Sequence, residues 1–305
     1  MRGRVVILAC SALAALAGGL ALGTAVASKV PNLNWVELLP PLPSPQKPQP
    51  HGVPHCRKPS SRCLGVEVAR MKRLQSQLGC DHRAVFTTTY LVLTRTLRQM
   101  VRSDPKLFPH PKYLYAEDAL FADLYFKTFR GYNLGAKVAP AWRIAFQADA
   151  SGDANGAQDM LLGINAHVQN DMPFVVAALG LRNKKGGSRK KEHDAVNAVL
   201  NNAYEAVVRA ITKRYDPLVG VTNSPATPLD DFGGLELVRA WREVVWRHAE
   251  LLANAKTKAQ REQIASEIQT YAGTWATAIA GANLGLPPGY RAQRDAYCHK
   301  QLRGR

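Results

Sequence analysis

Apolar positions recur at helical spacing over most of the chain beyond residue 62, and no segment alternates with the period of two that a half-buried strand needs. The pattern predicts helices from Cys63 to Leu78, from Asp81 to Val101, from Ala116 to Phe129 and, briefly, from Ala141 to Ala148. Asp81 reads as the N-cap of the second. A further helix starts near Ala157, and Pro173 either kinks it or sits in the first turn of a new one. Lys190 to Tyr215 stops before Asp216-Pro217, and the Pro-, Thr- and Asp-rich stretch from Leu218 to Asp231 reads as a loop. Phe232 to Asn254 and Lys258 to Ala280 complete the set. The expected fold class is all-α, with one multi-helix domain over residues 62–290, long enough for a sizeable core. A basic tail over 291–305 follows it.

The first 61 residues have a different character. Arg2 and Arg4 precede an uncharged stretch, Val5 to Ala27, that closes on Ala25-Val26-Ala27. This is the layout of a signal peptide over residues 1–27, cut before Ser28. Retained, the same stretch is long enough to anchor the chain in a bilayer. Ile7-Leu8-Ala9-Cys10 loosely matches a lipoprotein box, with too little apolar sequence before the cysteine. The leading readings, cleavage and anchoring, both place the body outside the cytoplasm, secreted or associated with the cell envelope; membrane association follows only if the segment is kept. Residues 28–61 are rich in proline (Pro31, Pro40, Pro41, Pro43 and Pro45 among others) and form an extended spacer.

Cysteine usage fits that compartment. Apart from Cys10, the chain has Cys56, Cys63, Cys80 and Cys298. Four cysteines in an exported chain suggest two disulfides with three possible connectivities. The expected pairs are Cys56 with Cys63 and Cys80 with Cys298, the second tying the tail to the start of the domain.

Charge changes the picture of partners. Lys and Arg number 40 against 23 Asp and Glu, a formal net charge of +17. Arg182, Lys184, Lys185, Arg189, Lys190 and Lys191 crowd one loop, and Arg291, Arg294, Lys300, Arg303 and Arg305 crowd the tail. Such clusters attract anionic lipid, wall polymers or phosphoester substrates; they also serve as plain solvated surface. No specific nucleic-acid motif is present, nor a P-loop, a Gly-x-Ser-x-Gly elbow or a His-Glu-x-x-His pair.

The candidate chemistry centres on Gly163-Ile164-Asn165-Ala166-His167-Val168-Gln169-Asn170-Asp171-Met172-Pro173. His167 and Asp171, four apart, share a helical face within an apolar run. They can ligate one divalent metal, zinc foremost, or form a base and its orienting carboxylate; equally, they can tie two helices together. Asp123, among core aromatics, and His193 are the next ligands. Asp118 reads as a surface charge, His193 as partly solvated, and His248 as a satisfied core histidine. His82 follows the presumed cap, Asp81. Trp142, Trp241, Trp246 and Trp275 read as packing, and Asn165 and Asn170 as orienting groups or backbone caps.

Phe121-Ala122-Asp123-x-Tyr125, Pro140-Ala141-Trp142, Asn165-Ala166-His167-x3-Asp171-x-Pro173, His193-Asp194-x-x-Asn197 and Ala240-Trp241-x6-His248-Ala249-Glu250 together resemble an uncharacterised bacterial all-α family from Cys80 to about Glu250. That resemblance implies a fold and a site, not a reaction. His-x3-Asp is also similar, at a distance, to the metal-binding helices of the zinc-dependent phospholipase C and P1-type nuclease group. This likeness implies an exported metal-dependent hydrolase of phosphoesters. The group's N-terminal Trp ligand has no counterpart here. Of eight histidines, only His82, His167, His193 and His248 are candidate interior ligands, too few for a three-metal cluster.

Two functions therefore stand open. One is a metal-dependent phosphoester hydrolase, steered by the basic loop, with His167 and Asp171 as catalytic ligands and Asp123 and His193 beside them. The other is a non-catalytic all-α module for a lipid, wall component or partner protein, with His167 and Asp171 as a structural pair.

Overall fold

The computed structural model describes residues 55–222, 228–282 and 286–303, with no side chain described over 221–232. The export segment and nearly all of the proline spacer lie outside the described residues. The fold is all-α; among the described residues the only β feature is an isolated bridge between Arg182 and Ser188. In chain order the helices are α1 (Ser61–Leu78), α2 (Ala84–Ser103), α3 (Pro111–Asn133), α4 (Pro140–Ser151) and α5 (Gly156–Asn165). A π-helical turn, Ala166–Asp171, joins α5 to α6 (Met172–Leu179). Then come α7 (Lys190–Arg214), α8 (Leu218–Thr222), α9 (Pro228–Asn254), α10 (Lys258–Ala280) and α11 (Tyr290–Arg303).

Local chemistry explains the boundaries. Prolines open α3 and α4 at positions where no backbone donor is needed. Asn155 and Gln158 form a reciprocal capping box at the start of α5, and Thr257 and Gln260 do the same for α10. Asp81 does not cap α2, which begins at Ala84. Its carboxylate instead accepts from the Arg83 backbone N–H (3.0 Å) and guanidinium (2.9 Å), holding the turn before the helix. The loop expected after Leu218 carries α8 and the first turn of α9.

Pro173 accounts for the π turn. Without an N–H it leaves the Gln169 carbonyl without its usual partner, and its ring crowds that carbonyl. The backbone widens by one residue, and the Met172 N–H reaches the His167 carbonyl. Proline then sits in the first turn of α6, the second of the two expected placements. Such widened turns recur at functional sites.

Packing follows the apolar faces. α1 lies on α2, α2 on α7, α4 on α10, and α6 on α9. Trp142, Trp241 and Trp246 are fully buried in the core, each stabilising by roughly 1.5–3 kcal/mol or more relative to exposure. Gly163 is needed where Phe86 crosses α5: a Cβ there would stand 2.3 Å from the Phe86 ring.

Both expected disulfides are formed, Cys56–Cys63 and Cys80–Cys298. The tail departs from expectation. Residues 290–303 form helix α11, anchored by the Cys80 bridge and by Arg294, whose guanidinium meets Asp159 at 2.6 Å and the Ala154 carbonyl at 2.9 Å. Basic residues there serve the interior as well as the surface. Among the described residues no helix is long and apolar enough to cross a membrane.

Candidate functional site

The π turn puts His167 and Asp171 together, with Nδ1 of the imidazole 2.9 Å from Asp171 Oδ2. Trp142, on α4, donates its indole N–H to the same oxygen at 3.0 Å. The Asn170 amide donates to Oδ1 at 2.6 Å. With donors on both oxygens, Asp171 is an acceptor, so His167 carries its proton on Nδ1 and donates it. The remaining ring nitrogen, Nε2, then holds a lone pair. It is buried and has no hydrogen-bond partner among the described residues. Burial lowers the His167 pKa, and the Asp171 hydrogen bond and charge oppose that shift. The neutral tautomer is therefore the resting form.

Aromatic side chains hold the ring. Phe121 stacks on it, centroids 3.4 Å apart and planes 5° from parallel. Tyr90, Phe86, Tyr125 and Trp142 surround it with centroids 4.9–5.8 Å away. Such a cage fixes the ring's orientation.

His167 forms part of the wall of a cavity of about 270 Å³ between α2, α3, the α5–π–α6 segment, α7 and α9. The cavity has two ends of unlike character. Half-buried apolar side chains, among them Leu161, Ile164, Val168, Val196, Leu200 and Leu235, mark the side towards solvent. Fully buried groups form the floor: Tyr90, Thr94, Glu117, Asp118, Phe121 and His167. Several floor atoms lack a hydrogen-bond partner among the described residues, namely Tyr90 Oη, Glu117 Oε2, Asp118 Oδ2 and His167 Nε2. Burial pushes Glu117 up to about 7, against the pull of Arg242 and Arg189. It pushes Asp118 up to about 8, with Glu67 and Glu117 adding to the shift and a 3.4 Å bond from Thr94 opposing it.

The other expected ligands are elsewhere. Asp123 is buried but faces cations, with Lys127 at 2.7 Å and Arg70 at 3.7 Å. His193 is fully buried rather than partly solvated. Its Nε2 lies 3.2 Å from the Arg242 carbonyl, and its Nδ1 is 3.9 Å from Glu117. Burial and the charges of Arg242 and Lys190 drive its pKa well down. No three His, Cys, Asp or Glu side chains among the described residues are grouped to hold a metal ion. The four-residue set His167, Asp171, Asp123 and His193 thus does not assemble as a metal centre. Asp81 and His82 also separate: the His82 ring is 2.9 Å from Asp295 on α11.

Other expectations need correction. Asp118 is a buried floor group, not a surface charge, because α2, α7 and α9 cover its face of α3 around the cavity. His248 is half-buried, its Nδ1 has no hydrogen-bond partner among the described residues, and burial pushes its pKa down to about 4. Of the two asparagines, Asn170 orients Asp171, whereas Asn165 donates to the Ala272 carbonyl of α10 at 2.9 Å. The basic loop is only partly free. Lys190 is buried between Asp194 and Glu243, both at 2.5 Å, and Arg189 lies over the Tyr113 ring; Lys184, Lys185 and Lys191 stay exposed.

The sequence reading missed Trp142 as a donor and Tyr90, Glu117 and Arg242 as cavity groups. Trp142 had a signal in its Pro-Ala-Trp setting; the others lie on helical faces that register alone does not aim. The family model that matches the chain covers residues 67–282, taking in the cavity and its floor. The chain belongs to the family of unknown function DUF5995. No curated protein and no solved structure matches it.

Proposed function

We propose that this DUF5995 protein binds a small, largely apolar molecule bearing one polar group. The molecule sits with its polar end on the floor of the cavity and its apolar part towards Leu161, Val168 and Leu200. The observation that carries this reading is the set of polar atoms without partners among the described residues, from Tyr90, Glu117, Asp118 and His167, at the bottom of a largely apolar cavity. Buried polar groups nearly always have partners, and a group without one calls for an explanation; a bound ligand supplies it. The volume supports a ligand larger than benzene, which fits an apolar cavity of about 150 Å³. His167, held by Asp171 and Trp142, offers a fixed acceptor to that ligand.

This is the binding-module reading, with the occupant taken as a small lipid-like molecule and the His167–Asp171 pair given a part in recognition. Action outside the cytoplasm is proposed with it, supported by the two disulfides and the export-type N-terminus. Metal-dependent phosphoester hydrolysis draws less support, because Asp171 already accepts three hydrogen bonds and Asp123 is paired with cations.

The test is to purify the protein without delipidating steps and examine it by native mass spectrometry beside Leu161→Trp and Ile164→Trp, which fill the cavity. A small-molecule adduct on the wild type, absent from both variants, is the expected result. Equal occupancy in all three would sink the proposal.

A further inference from the structure

The same cavity contains a buried positive charge that makes no salt bridge among the described residues. Arg242, on α9, lines it and is 2% exposed. Its guanidinium donates to Asn197 Oδ1 (2.8 Å) and to the His193 carbonyl (2.5 Å), and Nη1 lies 3.4 Å from Met172 Sδ. These partners are neutral. No carboxylate among the described residues forms an ion pair with it, and burial lowers its pKa against the pull of Glu117, Asp194 and Glu243. A buried guanidinium is costly without a counter-charge. Glu117 is the carboxyl with the largest pull, yet burial pushes its pKa up to about 7, so it carries only part of a charge near neutrality.

From this unpaired cation, with the Tyr90 hydroxyl and the partly protonated Glu117 and Asp118 beside it, we infer that the ligand is a monocarboxylic acid with an apolar tail, its carboxylate facing Arg242 rather than the lone pair of His167. The inference rests on the cavity-binding reading and adds the head group to it. Arg242 supplies the charge, and its planar donors suit a carboxylate. Tyr90 donates its hydroxyl proton, and protonated Glu117 or Asp118 donates a further one. A ligand alcohol would satisfy Tyr90 and His167 but leave Arg242 without a counter-charge. The tail leaves along the apolar wall.

The experiment is isothermal titration calorimetry of the full chain with decanoate, 1-decanol and methyl decanoate. Decanoate should bind one per chain and at least about tenfold tighter than the other two, the scale of one charge-assisted pair. Arg242→Gln should abolish that preference and leave 1-decanol binding as it was; Arg242→Lys should keep part of it. Equal binding of all three by the wild type would overturn the carboxylate inference and leave the cavity reading standing. Binding of none would overturn both. Should Arg242→Gln fail to fold, carboxyl-labelled decanoate on the wild type decides by its ¹³C shift. A bound carboxyl that stays ionised below the ordinary carboxylate range supports pairing with Arg242; one that titrates above that range overturns it.

Discussion

Two buried polar regions of this protein differ in how their charges are matched. Around the C-terminal helix, groups meet partners: Arg294 with Asp159 and the Ala154 carbonyl, His82 with Asp295, Tyr290 with Asp216, all beside the Cys80–Cys298 bridge. At the cavity floor, Tyr90, Glu117, Asp118 and His167 each present an atom with no partner among the described residues, and none of these residues places a counter-charge within ion-pair distance of Arg242. Both regions cost desolvation. The first offsets its charges within the chain through the Arg294–Asp159 ion pair, although Asp159 Oδ1 has no hydrogen-bond partner among the described residues, and the second does not; this assigns the first to stability and the second to binding.

Arg294→Met is the sharpest way to break the C-terminal region. It leaves Asp159, which is fully buried, without its closest cation. Stability at neutral pH should fall by about 3–5 kcal/mol, read from urea midpoints. Decanoate affinity per folded molecule should not change. A loss of affinity alongside stability would show that the two regions are coupled.

The Cys80–Cys298 bridge closes a loop spanning 218 residues. Cys80→Ser with Cys298→Ser should cost about 2–5 kcal/mol, chiefly by freeing the unfolded chain. Amide exchange should rise first in α11. Unchanged protection there would mean that Arg294 and Tyr290 suffice to dock the helix.

These partners also show what a sequence can convey. His167 and Asp171 were legible because helical spacing of four places them together whatever the tertiary fold. The disulfide pairs were legible from a small number of cysteines in an export context. The helix α11 was not, since its basic residues look solvated until Arg294 is seen against Asp159, 135 positions earlier in the chain. Asp118 and His193 were misread for the same reason. A charged residue on a helix carries no local mark of burial when its environment comes from four other elements. Asp123 was placed in the interior correctly, but its role depended on Arg70 and Lys127 rather than on His167.

The cavity acids give a pH prediction whose sign is definite. Glu117 and Asp118 have folded-state pKa values of about 7 and about 8, raised first by burial. In the unfolded chain both titrate near 4. Between these limits the folded state binds more protons, so its stability is full below about pH 4 and falls as pH rises towards 8. The slope approaches about 1.4 kcal/mol per pH unit for each acid. Groups facing them are Glu67 on α1, Tyr90 and Thr94 on α2, Glu192 and His193 on α7, Arg242 on α9, and Arg189 in the preceding loop. Burial and the charges of Arg242 and Lys190 drive the His193 pKa well down, so near neutrality the slope belongs to the carboxyls. Asp118→Asn should flatten it, measured by urea unfolding at pH 5, 7 and 8.5. Decanoate should also bind more weakly to the wild type as pH rises through 7–8, when the floor gains negative charge. A pH-independent affinity would place the head group away from these acids.

Tyr90→Phe is the smallest change and separates the two regions most cleanly. The Tyr90 hydroxyl is buried with no partner among the described residues, while its ring packs edge-on against Phe121 and His167. Phenylalanine keeps the ring and removes the stranded hydroxyl, a polar group whose burial without a bond costs about 1–3 kcal/mol. The unliganded variant should therefore be as stable as the wild type or more stable by up to about 1 kcal/mol. Decanoate should bind it more weakly, because the hydroxyl is a donor to the head group. A partnered tyrosine would give the opposite: lower stability with no change in binding. Opposite signs in two measurements on one variant distinguish a group kept for a ligand from one kept for the fold.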